Sequence, residues 1–260
     1  MAKMSKILRP IEYLRQARRG AAFAQRAWKR PTGSAQEPKN PLMDYFQSND
    51  SGPGIWKWNH YFEIYHRHLS KFRNTECYVM EIGVYSGGSL GMWRNYFGEK
   101  AHIYGIDIQD DCKVYEQDAV KIFIGDQADR SFWKRVKDEV PKLDVLIDDG
   151  GHTTQQQIVT LEEMLPRLAP GGVYICEDVH GTRNHFLFYI AGLTCELHET
   201  TPVQDLQNSE RRISSGANDF QASIHSIHHY PFVTVIEKKD REMSEFVSPK
   251  RGTVWQPFLQ

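Results

Sequence analysis

The sequence lacks the features that define several large functional classes. Its four cysteines (Cys77, Cys112, Cys176 and Cys195) form no C-x-x-C pair and are too sparse for a small secreted scaffold. Neither disulfides nor a zinc site is therefore expected, and the compartment reads as reducing and cytosol-like. No apolar run approaches the roughly 20 residues of a membrane span, and nothing near the start resembles the apolar core of a secretory signal. Net charge is almost absent, at −1 over 260 residues. The balance hides a division: residues 1–30 hold nine Lys or Arg against Glu12 alone, so they carry +8 and the remainder −9. An acidic body has no basic face for phosphates, which argues against a nucleic-acid partner.

What is present is core material: 40% of residues are apolar and 12% aromatic, enough for one large domain with an extension. The boundary falls near residue 40. Residues 1–40 read as a basic N-terminal extension ending in the linker-like "RPTGSAQEPKNP", and residues 41–260 as the folded body. In the extension Ile7, Leu8, Ile11, Leu14 and Ala17 recur among basic residues at helical spacing, interrupted by Pro10. That pattern suits a solvated or homo-oligomer-contacting helix, an organelle-targeting presequence, or a helix lying on a membrane surface, without stable insertion in the last case. Cytoplasmic location is the expectation, with organelle targeting the alternative.

Along the body, after the aromatic helix pattern "GIWKWNHYFEIYHRHLSKF", short apolar runs alternate with amphipathic stretches. Residues 77–84, 101–108, 119–126, 143–149 and 171–179 read as strands. The intervening "SLGMWRNYF", "RSFWKRVKDEV" and "TTQQQIVTLEEMLPRL" read as helices. Alternation of this kind predicts an α/β fold with a doubly wound, mostly parallel Rossmann-like sheet. "SIHSIHHY" and "FVTVIEKK" would close one edge as a C-terminal antiparallel hairpin. No internal repeat is present.

In such sheets a ligand sits beyond the carboxyl ends of the strands. The first strand ends in E-x-G-x-x-x-G, from Glu81 and Gly83 to Gly87, with Tyr85 where a dinucleotide fingerprint needs its second glycine. A diphosphate cradle is disfavoured, whereas a nucleoside with a zwitterionic tail fits. The second strand ends at Asp107, placed to accept ribose hydroxyls, and the third at Asp126, placed to accept from an adenine amino group. These three acids at successive strand ends resemble the class I S-adenosylmethionine-dependent methyltransferases across roughly residues 75–240. The resemblance implies S-adenosylmethionine held by Glu81, Gly83, Tyr85, Ser86, Gly87 and Ser89, with Asp107 on the ribose and Asp126 and Gln127 around the adenine.

The fourth strand ends Asp148-Asp149-Gly-Gly-His152 and the fifth Glu177-Asp178-Val-His180. Neighbouring parallel strands end side by side, so four carboxylates converge, and a hard divalent cation such as Mg²⁺ relieves their repulsion. Strand alternation predicts that only one of Asp148 and Asp149 is a ligand. His152, beyond a Gly-Gly turn, is a candidate general base for a metal-acidified hydroxyl. "IDDGGH" with "EDVH" resembles the Mg²⁺-dependent sugar O-methyltransferases of the macrocin and mycinamicin type and the related cephalosporin-hydroxylase-like group. That implies Asp149, Glu177 and Asp178 as metal ligands, with Asp149 and His152 catalytic. "KWNHYFEIYHRHL" is similar to the family's K-x-x-H-x-Y segment and would put Lys57, His60 and Tyr61 near the site.

The implied activity is S-adenosylmethionine-dependent, Mg²⁺-assisted methylation of a hydroxyl on a sugar, glycoside or polyol. A catechol or phenolic acceptor, or a non-catalytic methyltransferase-like binding protein, remains an alternative. No N-P-P-Y-like tetrapeptide for a flipped base is present. Acceptor specificity is expected in the aromatic segment and in the polar stretch 198–222, where Arg211 and Arg212 could meet an anionic group.

Overall fold

A computed structural model describes residues 2–29, 31–33, 39–180, 184–199, 212–241, 243–249 and 251–252. Two compact units divide the chain, Met1–Pro38 and Lys39–Gln260. Among its described residues the first holds one helix, α1 (Ala2–Ala24). It runs through Pro10, although an interior proline gives up one hydrogen bond of the ladder and crowds the preceding turn. Among the described residues no helix is long and apolar enough to cross a membrane.

The second unit opens with α2 (Pro41–Ser48) and α3 (Tyr61–Leu69). Then β1 (Tyr78–Ile82), α4 (Gly88–Phe97), β2 (His102–Asp107), β3 (Val120–Ile124), α5 (Arg130–Glu139), β4 (Leu143–Asp148), α6 (Thr154–Met164) and β5 (Leu168–Cys176) alternate. After α7 (Phe186–Leu197) come β6 (Arg212–Gly216), α8 (Asp219–Ser223), β7 (Ile224–Tyr230), β8 (Val233–Lys238) and β9 (Glu245–Pro249). Seven strands form one sheet in the order β3-β2-β1-β4-β5-β8-β7. The first five are parallel, and β8 and β7 are antiparallel additions closing the edge. The parallel core and the antiparallel hairpin are as the sequence predicts; β6 and β9 form a separate two-stranded ribbon.

Both faces of the sheet are covered, which is why β4 is buried at all six positions and shows no polar alternation. One face sends Val79, Val145, Val173 and Val235 into a core with Leu42, Phe62, Tyr65 and Trp93 of α2, α3 and α4. The other sends Met80, Leu146, Tyr174 and Ile236 against Trp133, Val159 and Ile190 of α5, α6 and α7. Each large apolar side chain buried this way contributes about 1.5–3 kcal/mol, and truncating Leu146 to Ala would cost about 2–5 kcal/mol. The chain winds outward from β1 through β2 to β3, then returns to β4 on the other side. This reversal leaves a crevice beyond the ends of β1 and β4.

Candidate active site

A cavity of about 1000 Å³ opens at those carboxyl ends, walled by the turn after β1, the residues following β2, β3, β4 and β5, and the segment 54–61 before α3. On its β1–β3 side backbone makes the wall. Gly83 has φ +92°, and a Cβ there would sit 2.1 Å from the Asp149 carbonyl oxygen; only glycine lets the two turns meet. Gly87, at φ +76°, backs onto the Tyr115 ring and stands as the N-cap before α4. Tyr85 stands at the rim, 71% exposed, while its N–H donates to Asp107 Oδ2 (2.9 Å). Asp107 Oδ1 accepts from Gln109 N–H (2.9 Å), so the carboxylate is held rigidly at the cavity wall. Asp126 also lines the cavity and accepts from Ala128 N–H (2.8 Å).

Other members of the expected donor set act from behind. Glu81 is fully buried, accepts from Ser89 Oγ (2.5 Å) and lies 3.2 Å from Lys57 Nζ; it supports the loop from within. Ser86 is placed against Gly54. Gln127 lines the cavity, yet its amide is a strut: Nε2 donates to Asp148 (2.9 Å) and Thr160 (3.1 Å), and Oε1 accepts from Gly151 N–H (2.8 Å).

The β4–β5 side is built from charged side chains. Strand alternation turns Asp148 away, toward Gln127 and Tyr174 (3.3 Å), and burial pushes its pKa up to about 6 against those hydrogen bonds. Asp149 faces the cavity. Its Oδ2 accepts from Lys57 Nζ (2.6 Å), leaving Oδ1 3.8 Å from His152 Nε2. Asp178 mirrors this: Oδ1 accepts from Tyr61 Oη (2.6 Å) and Trp58 Nε1 (3.1 Å), while Oδ2 lies 3.7 Å from His152 Nε2. Each aspartate thus has one oxygen fixed by a donor from the segment before α3 or its first turn, and one presented to a common space. A ligand atom from each of Asp149, His152 and Asp178 lies within 4.8 Å of the others.

Glu177 is placed differently. It is fully buried, and its carboxylate accepts from Lys57 Nζ (3.1 and 3.2 Å) and Tyr65 Oη (2.7 Å). Lys57 therefore binds three acids: Glu81, Asp149 and Glu177. Burial alone would lower the Lys57 pKa, but the three carboxylates outweigh it and hold it well above its ordinary value. Burial raises the pKa of Glu177, with Asp149 adding and Lys57 opposing, and raises that of Glu81 with Lys57 again opposing.

Tyr85, His152 and Asp178 have φ of 50°, 57° and 52°. Left-handed backbone at such residues costs on the order of 1–3 kcal/mol each and concentrates at functional sites. His152 Nδ1 is buried with no hydrogen-bond partner. The two inward carboxylate oxygens of Asp149 and Asp178 are a donor set that fits a divalent cation, and room for water or substrate oxygens beside His152 Nε2 suits Mg²⁺. Lys57, His60 and Tyr61 all line the cavity, His60 donating Nε2–H to the Pro231 carbonyl (3.0 Å). His180 also lines it and packs on Phe232 (4.8 Å between rings). Sequence reasoning missed Trp58 and Tyr65; the signal was the i, i+4 spacing of Tyr61 and Tyr65 on the helix that presents both to the β5 acids. Within the polar stretch, residues 200–211, including Arg211, lie outside the described residues, and of Arg212 only the backbone is described.

Residues 80–179 match the model of a methyltransferase domain. Demethylmacrocin O-methyltransferase of Streptomyces fradiae is 35% identical over 153 residues, covering 56% of this chain and 37% of that protein. Mycinamicin VI 2''-O-methyltransferase of Micromonospora griseorubida is 36% identical over 122 residues, covering 44% and 30% respectively. The chain thus spans about a third of the length of these relatives. Among solved structures, the mycinamycin-pathway methyltransferase MycE in complex with Mg and SAH superposes with a TM-score of 0.60 at 26% identity, over 80% of this chain and 56% of that one. The cavity sits where the reversed strand order places a donor, and the acid-histidine motif lies inside the matched residues. Residues 80–179 thus match a methyltransferase domain, and the chain is similar to O-methyltransferases of the macrocin and mycinamicin type over about a third of their length.

Proposed function

We propose that this protein transfers a methyl group from S-adenosylmethionine to a hydroxyl of a sugar or glycosylated small molecule, with the help of Mg²⁺. One observation carries the proposal. Asp149 and Asp178 each keep one oxygen fixed by Lys57 or by Tyr61 and Trp58, and turn the other toward His152 Nε2. Such preorganisation is what a metal-assisted acceptor site needs, because ligands that are already oriented lose little freedom on binding. The relatives named above act, by their names, on macrolide-type substrates, which favours a glycoside over a catechol acceptor. Intact acids and base speak against a non-catalytic role.

In this reading Asp107 and Asp126 meet the ribose and adenine of the donor, and the Gly83 turn lets the backbone approach its methionine end. Asp149 and Asp178 would hold the metal, Glu177 joining only if Lys57 yields. Bound Mg²⁺ would lower the acceptor hydroxyl's pKa and orient it. His152 would take the hydroxyl proton at Nε2, and S-adenosylmethionine, when bound, would supply the methyl group and leave as its thioether. Trp58, His60 and His180 line the cavity beside that proton transfer. The test is methyl transfer from labelled S-adenosylmethionine to a panel of deoxysugar glycosides. His152→Ala should abolish turnover while S-adenosylhomocysteine still binds; full turnover by that variant would refute the role of His152.

A further inference from the structure

A second group of metal-ligating side chains converges where α3 packs on the closing hairpin, outside the cavity. β7 and β8 pair with Ser226 opposite Glu237 and His228 opposite Val235. Ser226, His228 and Tyr230 alternate onto one face of β7. That face adjoins the apolar layer of Val233 and Val235, yet here it is polar, and His68, near the end of α3, lies on it at 5% exposure. His68 Nδ1 is 2.7 Å from Glu237 Oε1 and its Nε2 2.8 Å from Tyr230 Oη. The His228 ring stands 4.8 Å from the His68 ring, with its Nε2 2.9 Å from Ser226 Oγ.

Filling this space would be served by a leucine, and burying polar groups is unfavourable unless they are partnered. The hydrogen bonds to Glu237 and Tyr230 account for His68. They do not account for a second imidazole laid against the first. One ligand atom from each of His68, His228 and Glu237 lies within 4.8 Å of the other two. We propose that these three residues form a binding site for a borderline divalent transition ion of the Zn²⁺ class, separate from the cavity acids.

The ligand types select the ion. Two imidazole nitrogens and one carboxylate suit Zn²⁺, Co²⁺ or Ni²⁺, whereas Mg²⁺ favours the oxygen-rich pair of Asp149 and Asp178. Zinc sites of the His₂-carboxylate kind leave a fourth position to water. Ligands about 2 Å from such an ion stand roughly 3.3 Å apart, so Glu237 Oε1 and His68 Nδ1, now 2.7 Å apart, must part slightly to admit it, while His228 on an edge strand is free to adjust. Arg67, Lys71 and His225 are the neighbouring cations or potential cations and oppose a further positive charge. An ion held here would tie the last turns of α3 to the hairpin, and Tyr61 in the first turn of the same helix holds Asp178.

Co²⁺ and Zn²⁺ binding to the untagged full chain tests this, in an Asp178→Asn background that removes the cavity cluster as a competing site and with Mg²⁺ in excess. The parent should take up one Co²⁺ with a visible ligand-field band and melt at a higher temperature with Zn²⁺. Adding His228→Ala, or Glu237→Gln, should weaken Co²⁺ binding at least about tenfold, as loss of a metal ligand does. If His228→Ala loses its folded far-UV spectrum, the Glu237→Gln affinity decides between the two outcomes. Absence of a Co²⁺ band in the parent, or unchanged affinity in the variants, would reduce the cluster to a hydrogen-bonded core histidine and overturn the proposal.

Discussion

The two halves of the cavity are made from different materials. Around the ends of β1–β3 the wall is backbone: a glycine turn and two acids held by neighbouring N–H groups. Around the ends of β4 and β5 it is side chain: two aspartates, a histidine and a buried lysine among three carboxylates. A backbone wall tolerates little change in chain geometry, and its two acids are held by neighbouring N–H groups. The side-chain wall stores electrostatic energy and depends on residues far away in sequence. Substitutions in the two halves should therefore fail in different ways.

The largest effect expected is at Lys57. Lys57→Met leaves Glu81, Asp149 and Glu177 without their cation, and uncompensated buried charge should destabilise by about 3–5 kcal/mol. The pH dependence identifies the cause: burial raises the pKa of Glu177 and of Glu81, so protonation at lower pH removes the unpaired charges. The deficit in urea midpoint should be smaller near pH 5.5 than near pH 8; an equal deficit at both would point to lost packing instead. In the backbone wall, Gly83→Ala should cost about 2–4 kcal/mol from left-handed strain and collision with the Asp149 carbonyl, and weaken S-adenosylhomocysteine binding measured by calorimetry.

Asp148 sharpens the contrast, since it belongs to the acid motif but not to the cavity. Its folded pKa of about 6 exceeds the ordinary 3.8, so the folded protein binds this proton more tightly than the unfolded chain. The charge then costs stability as pH rises from about 4 through 6, and the cost persists above. Asp148→Asn should gain about 1–3 kcal/mol relative to the parent between pH 4 and pH 8 in denaturation series. The smallest effect is at Trp58: Trp58→Phe removes one donor to Asp178, worth about 1 kcal/mol, and should lower Mg²⁺ affinity with donor affinity unchanged.

The same division explains what could be read beforehand. Strand runs such as 143–149 and the ends at Asp107 and Asp126 are periodic or local signals, and the sheet follows from them. The separation of Asp148 from Asp149 follows from alternation. By contrast, Glu177 sits beside Asp178 in sequence yet is bound by Lys57 and Tyr65, 120 and 112 residues away. Nothing local announces that pairing. α7 escaped notice because its run "FLFYIAGL" is apolar on every side and shows no period. β6 and β9 are short and polar, and only pairing with each other defines them.

The central claim is that metal-assisted acceptor activation by Asp149, His152 and Asp178 is separable from donor binding. Its most direct test is Mg²⁺-dependent methyl transfer to a glycoside by Asp178→Asn, with S-adenosylhomocysteine affinity measured on the same preparation. Turnover should fall by about a thousandfold or more while that affinity stays within about threefold. Wild-type turnover that survives chelation undiminished, or a variant that loses donor binding and turnover together, would contradict the account.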